Sequence, residues 1–167
     1  MYMQIRLPLA CLLIMMYCSW YYSRKKHLAT KASRAFNAMI VVTISNLCFT
    51  PSTEYTVNNR DIVPDWVNYA LHVPFIMTLT AWCGLLLLYL LLLVERDGGG
   101  SHRLGKSIIC ALCGVIMVAQ IVLPIEYLDL PGGSTSYGPK AFSVYIVVVY
   151  VLSMLLYLSV RYRTLLG

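Results

Sequence analysis

Residues 66–94 read WVNYALHVPFIMTLTAWCGLLLLYLLLLV, 29 residues without a charged side chain. A helix crossing the hydrocarbon core of a bilayer needs roughly 20 mostly apolar residues, each rising about 1.5 Å. This stretch exceeds that need and leaves length for an interfacial turn or a tilt. It lacks the period-2 alternation of an outer-membrane barrel strand, so it reads as a helix. The fold class expected from it is an all-α membrane protein.

Charge-free runs at 7–23, 35–53, 107–125 and 141–160 meet a similar test on either side of it. The expectation is one transmembrane domain over 1–167, a bundle of five membrane-spanning helices. Pro8 stands near the start of the first run, where a helix tolerates proline. Composition agrees, with 59% apolar and 12% charged residues, against about 45–50% and about 25% in a soluble domain. A chain of this size cannot bury so much apolar surface in water. A soluble enzyme, a DNA-binding domain and a disordered tail are excluded as readings of the whole.

The net charge of +6 is therefore read for topology rather than for nucleic acid, which is not expected as a partner. Short cytoplasmic loops concentrate Lys and Arg. Arg24, Lys25, Lys26, Lys31 and Arg34 follow the first run. Arg96, Arg103 and Lys106 follow the third, and Arg161 and Arg163 follow the fifth. The opposite side holds Arg6, Arg60 and Lys140 together with Glu54, Asp61, Asp65, Glu126 and Asp129. Both signs place the N-terminus outside and the C-terminus in the cytoplasm. The basic cluster follows the first apolar run, and no small-x-small site lies near Cys18, so that run is expected to be an uncleaved anchor. Trp20, Tyr21, Tyr22, Trp66 and Tyr69 suit the interfaces. Gly98 to Ser101 and Pro131 to Ser134 read as turns, and 51–65 and 126–140 as outer loops.

The six cysteines all fall within apolar runs, so no disulfide framework is expected. Cys110 and Cys113 form a C-x-x-C, which admits a membrane thiol oxidoreductase. Packing as small hydrophobes is the plainer reading. Asn68 and His72, four residues apart, share a helix face. Polar groups at membrane depth face the bundle interior and are functional candidates. The alternative is a hydrogen bond from Asn68 or His72 to Asn46, Ser45 or Thr43, with Asn37 and Gln120 in the same bonding role. Pro74 removes a backbone donor and is expected to kink the third helix. Acids and aromatics share the outer loops and could attract a cationic ligand, or form an ordinary wet rim.

No phosphate-binding glycine loop, HExxH or G-x-S-x-G is present, and no charge stands in any helix core. No catalytic residue, metal site or cofactor is expected. A ligand site, if present, is expected in the outer half of the bundle between the second, third and fifth helices, drawing on His72, Asn68, Asn46, Glu54 and Tyr145.

The segments FTPSTEYTVN at 49–58 and VPDWVNYALH at 63–72, with YGPKAFSVY at 137–145 running on to RYR at 161–163, carry a likeness. The chain resembles the N-terminal membrane sensor regions of gut Firmicutes diguanylate cyclases, the GGDEF signalling proteins. The catalytic GGDEF segment is absent from these residues. The resemblance implies the input part of a longer signalling protein, with the 161–163 end leading into a cytoplasmic output domain. The expected function is a multi-pass sensory domain of a bacterial plasma membrane. A thiol oxidoreductase, a small transporter and a structural membrane subunit are the alternatives. Expected partners are the lipid bilayer, a small-molecule or peptide ligand and, as an option, a second copy of the chain.

Overall fold

The computed structural model describes residues 2–24, 30–96, 103–130 and 133–162. In chain order they form α1 (Tyr2–Ser23), α2 (Lys31–Asn58), α3 (Asp65–Arg96) and α4 (Arg103–Val122). A hairpin of β1 (Glu126–Leu130) and β2 (Gly133–Tyr137) follows, and then α5 (Pro139–Arg161). The helices α2 to α5 are long and apolar enough to cross a membrane, and α1 holds a shorter apolar stretch, Leu7–Tyr22. Val115, Val118, Val149, Leu152 and Leu156 lie exposed on α4 and α5. Apolar faces of that extent suit hydrocarbon rather than water. The chain is a helical, multi-pass membrane protein.

α3 is the hub, packing against α2, α4 and α5, while α1 packs on α2. Its buried residues are Asn68, His72, Ile76, Thr80, Cys83, Gly84, Leu87, Leu91 and Val94. Steps of three and four along that series draw one interior stripe. The stripe is polar near the hairpin and apolar toward the other end. Cys83, Leu87 and Leu91 build the apolar core with Ile109 of α4 and with Val147, Val151 and Leu158 of α5. An ideal Cβ on Gly84 would stand 2.6 Å from Cys113 Sγ, so glycine is what lets α3 and α4 approach there. At the end away from the hairpin, Lys106 Nζ of α4 pairs with Glu95 Oε2 of α3 at 2.6 Å.

The helices α1, α2 and α4 begin four or five residues before the charge-free runs, at Tyr2, Lys31 and Arg103, and two helix ends differ as well. α2 continues through Pro51 to Asn58, so the first part of the expected 51–65 loop is helix. Thr50 Oγ1 bonds Asn46 O at 2.9 Å, and Thr53 Oγ1 bonds Phe49 O at 3.0 Å. Hydroxyls that attach to the helix's own carbonyls help a proline-bearing helix persist in lipid. At its end Asn58 Nδ2 donates to Glu54 O and Asn59 Nδ2 to Tyr55 O, each at 2.8 Å. Those amides satisfy carbonyls that a helix end leaves open. α4 stops at Val122, three residues short of the expected 125, because Pro124 lacks the N–H that a further turn would need.

The expected 126–140 loop is ordered as an antiparallel hairpin, paired from Glu126↔Tyr137 to Leu130↔Gly133. β2 packs against α2 and α5. The expected turn at 98–101 lies outside the described residues, as do residues 131 and 132 of the expected 131–134 turn, Lys25, Lys26 and Arg163; Gly133 and Ser134 open β2. Pro74 sits inside the continuous assignment of α3.

Truncating a core residue should separate protein packing from lipid contact. Leu87, 1% exposed, and Leu156, 69% exposed, lose the same atoms on mutation to Ala. Leu87→Ala should lower stability by about 2 kcal/mol or more through the cavity it leaves. Leu156→Ala should change it little, as read by reversible unfolding of both variants in one lipid mixture.

Candidate functional site

The polar part of the α3 stripe meets α2 and the hairpin. Asn68 and His72 are one turn apart, and His72 Nδ1 lies 3.1 Å from Asn68 Oδ1. Thr56 of α2 reaches the same oxygen at 3.1 Å and also lies 3.1 Å from Thr53 O of its own helix. Thr53, Thr56, Asn68 and His72 are all buried. The His72 ring meets Tyr127 of β1 edge-on, with centroids 5.8 Å apart and planes at 81°. Two helices thus converge on one amide oxygen, and the hairpin joins them through the His72 ring.

A second knot lies one layer deeper. Gln120 of α4 has no exposed surface. Its Nε2 donates to Thr80 Oγ1 at 2.8 Å and to Ser143 Oγ at 3.0 Å. Its Oε1 accepts from Thr80 Oγ1 at 3.2 Å. Ser143 Oγ donates in turn to Lys140 O at 2.7 Å. The knot therefore ties α3, α4 and α5 together and ends on the first turn of α5.

At the hairpin end two cations lie over aromatic faces of the chain itself. The Arg60 guanidinium stands 5.0 Å above the Tyr127 ring, and Lys140 Nζ stands 4.0 Å above the Tyr69 ring. The Tyr69 hydroxyl donates to Ile121 O, fixing its ring against α4. The expected attraction of a cationic ligand to this rim is therefore met from within for Tyr69 and Tyr127. Burial pushes the Tyr127 phenol above its ordinary value; Arg60 opposes that shift and Asp65 adds to it.

Of the residues expected to line a site, Asn68 and His72 stand together. Asn46 ties α2 to α3 further along, donating to Phe75 O at 3.2 Å and to Thr78 Oγ1 at 2.8 Å. Ser45 and Thr43 bond carbonyls of their own helix, Val41 O and Met39 O. The Glu54 side chain is half-buried without an ion pair among the described residues. Tyr145 is 66% exposed and touches Phe142 rather than the cluster. Cys110 is exposed, while Cys113 packs over Gly84. Among the described residues no three His, Cys, Asp or Glu side chains gather to hold a metal ion. A cleft of about 340 Å³ opens at the opposite end of the bundle, lined in part by Tyr22, Phe36, Tyr89 and Arg96.

The residues that sequence reasoning passed over as bonding partners are Thr56, Thr80, Ser143 and Lys140. Lys140 had a readable signal. Gly138 and Pro139 precede it, and proline favours the first position of a helix, which carries Lys140 out of the loop and into α5.

Removing the shared acceptor with Asn68→Ala should cost about 1 kcal/mol, the scale of interhelical hydrogen bonds in membranes, measured by reversible unfolding. A phenol whose folded pKa is raised supports the fold below its unfolded pKa, near about 10, and that support is lost as pH rises through the folded value. Tyr127→Phe should therefore flatten the alkaline loss of stability seen in a series of melts at increasing pH. Set against models of known protein families, curated proteins and solved structures, the chain finds no match in any of the three comparisons.

Proposed function

We propose that the chain is the sensory input domain of a bacterial plasma-membrane signalling protein, relaying an outer or intramembrane signal to a cytoplasmic output module. In this reading all five helices cross the membrane, with the N-terminus outside and the C-terminus in the cytoplasm. Lys31, Arg34, Arg96, Arg103, Lys106 and Arg161 fall at helix ends away from the hairpin, and positive residues favour the cytoplasmic side. The resemblance to sensor regions of diguanylate cyclases supports the same assignment.

The observation that carries the proposal is the buried polar layer at the hairpin end. It joins α2, α3, α4 and α5 through Thr56, Asn68, Thr80, Gln120 and Ser143, above a core of apolar side chains. A ligand moves such an assembly only by binding two arrangements with different affinity. Polar bonds that can exchange partners supply the difference, and packed apolar helices beneath them transmit it.

Reporter fusions between Arg96 and Arg103 and after Tyr162 should score cytoplasmic, and a fusion between Leu130 and Gly133 should score external; the reverse pattern rejects the orientation. In the natural reading frame an output module should follow this chain. A stop codon directly after Gly167 rejects the sensory reading. Where the module is present, Asn68→Ala and His72→Ala should each blunt its response at normal expression, and two normally responding variants move the site elsewhere.

A further inference from the structure

Lys140 is the one charged residue among the described residues with no exposed surface, and its Nζ has no hydrogen-bond partner. A lysine near a membrane interface ordinarily extends its ammonium to water. This one lies beneath the hairpin, over the Tyr69 ring at 4.0 Å. A cation–aromatic contact offsets only part of the cost of burying an unpaired charge.

Lys140 also stands in the first turn of α5, a helix of 23 residues. Its N-cap is Gly138, which offers no side-chain acceptor, and Pro139 follows at the first position. The backbone N–H groups of Lys140 and Ala141 therefore meet no side-chain cap. The start of a helix carries partial positive charge and directs its free N–H groups outward, the arrangement that binds oxyanions. Helical side chains lean toward the start of their helix, so the ammonium belongs to the same end. An uncapped helix start and a buried unpaired ammonium thus coincide in one turn.

The surrounding charges leave that excess standing. Glu126 packs its Cβ and Cγ 3.4 Å from where a Gly138 Cβ would be. Its own side chain is exposed and forms no ion pair with Lys140. The Arg60 guanidinium stands over the Tyr127 ring. Pro139 and Glu126 beside it are exposed, so the turn lies next to the surface while Lys140 itself is covered.

We infer that the first turn of α5 is an oxyanion site, where Lys140 Nζ and the N–H groups of Lys140 and Ala141 hold a carboxylate or phosphate group. The group comes either from a soluble molecule or from a lipid headgroup. As the signal of a sensory domain the anion rests on the reading above; as a bound ligand it does not. The sign is opposite to the cationic ligand that the acids and aromatics of the rim suggest. The site also connects to the deeper knot, because Lys140 O receives the Ser143 hydroxyl that Gln120 holds.

The test uses the full chain in nanodiscs of phosphatidylcholine, with melting followed against inorganic phosphate and acetate at constant ionic strength set by chloride. Both anions should raise Tm saturably in the wild-type chain and in Lys140→Arg. Lys140→Met should weaken the response at least about tenfold, the scale of one charge-assisted hydrogen bond. Without added oxyanion Lys140→Met should melt no lower than wild type, because it removes an uncompensated charge.

Repeating the series with phosphatidylglycerol in the disc separates the two sources. A Lys140-dependent rise in Tm from the lipid itself, with no further response to phosphate, assigns the headgroup. An unchanged response to phosphate assigns a soluble anion. Equal responses in wild type and Lys140→Met, or none to either anion or to the lipid, overturn the site. Should Lys140→Met fail to fold, the wild-type chain decides alone: a response to phosphate and acetate that chloride in equal amount reproduces also overturns it. Because no output is read, failure here leaves the sensory proposal to its reading-frame test, and saturable binding without an output module rejects that proposal while keeping this site.

Discussion

Gln120 sets the register of the bundle. An amide in hydrocarbon finds no water, so it must be satisfied by its neighbours. Here those neighbours are Thr80 of α3 and Ser143 of α5. Sliding α4 by a helical turn of about 5.4 Å would strand the amide. With that level fixed, Cys113 falls opposite Gly84, and Leu87 meets Val147 and Val151. Ser143 then holds the carbonyl of Lys140, which brings the start of α5 beside Tyr69.

The α3 stripe runs as a gradient from this level. Toward the hairpin it offers an amide and an imidazole, and away from it leucine and valine. Directional bonds at one end specify which helices meet, and shape-matched apolar packing at the other fixes how closely they meet. A disturbance at the polar end therefore has discrete alternatives available, while the apolar end moves as packed side chains.

Bilayer thickness is a ruler that a sequence carries openly, and the long apolar helices were legible from length and charge spacing alone. Their ends were less so. The charge of Glu54 closes the second apolar run at 53, yet the hydroxyls of Thr50 and Thr53 bond back to the helix and it continues to Asn58. The hairpin was hidden because its strands are five residues each and polar at several positions. Asn68 and His72 were visible as a pair because four residues bring side chains onto one face. Tyr145 was chosen by depth alone. Ser143 faces Gln120, and two residues further round a helix is about 200°, which turns Tyr145 outward. Reading between charges leaves Lys140 in the loop, and the preceding Gly138 and Pro139 are the signal that it belongs to α5.

Gly84 and Cys113 divide a single small volume between two helices. A side chain added at 84 must displace the Cys113 sulfur, and the room for that is a small apolar cavity of about 110 Å³ that both residues line. The pair is therefore expected to change together in descent, a larger residue at 84 going most easily with a smaller one at 113. Such a constraint leaves its trace in descent as correlated exchange between two distant positions of the chain, independent of any ligand.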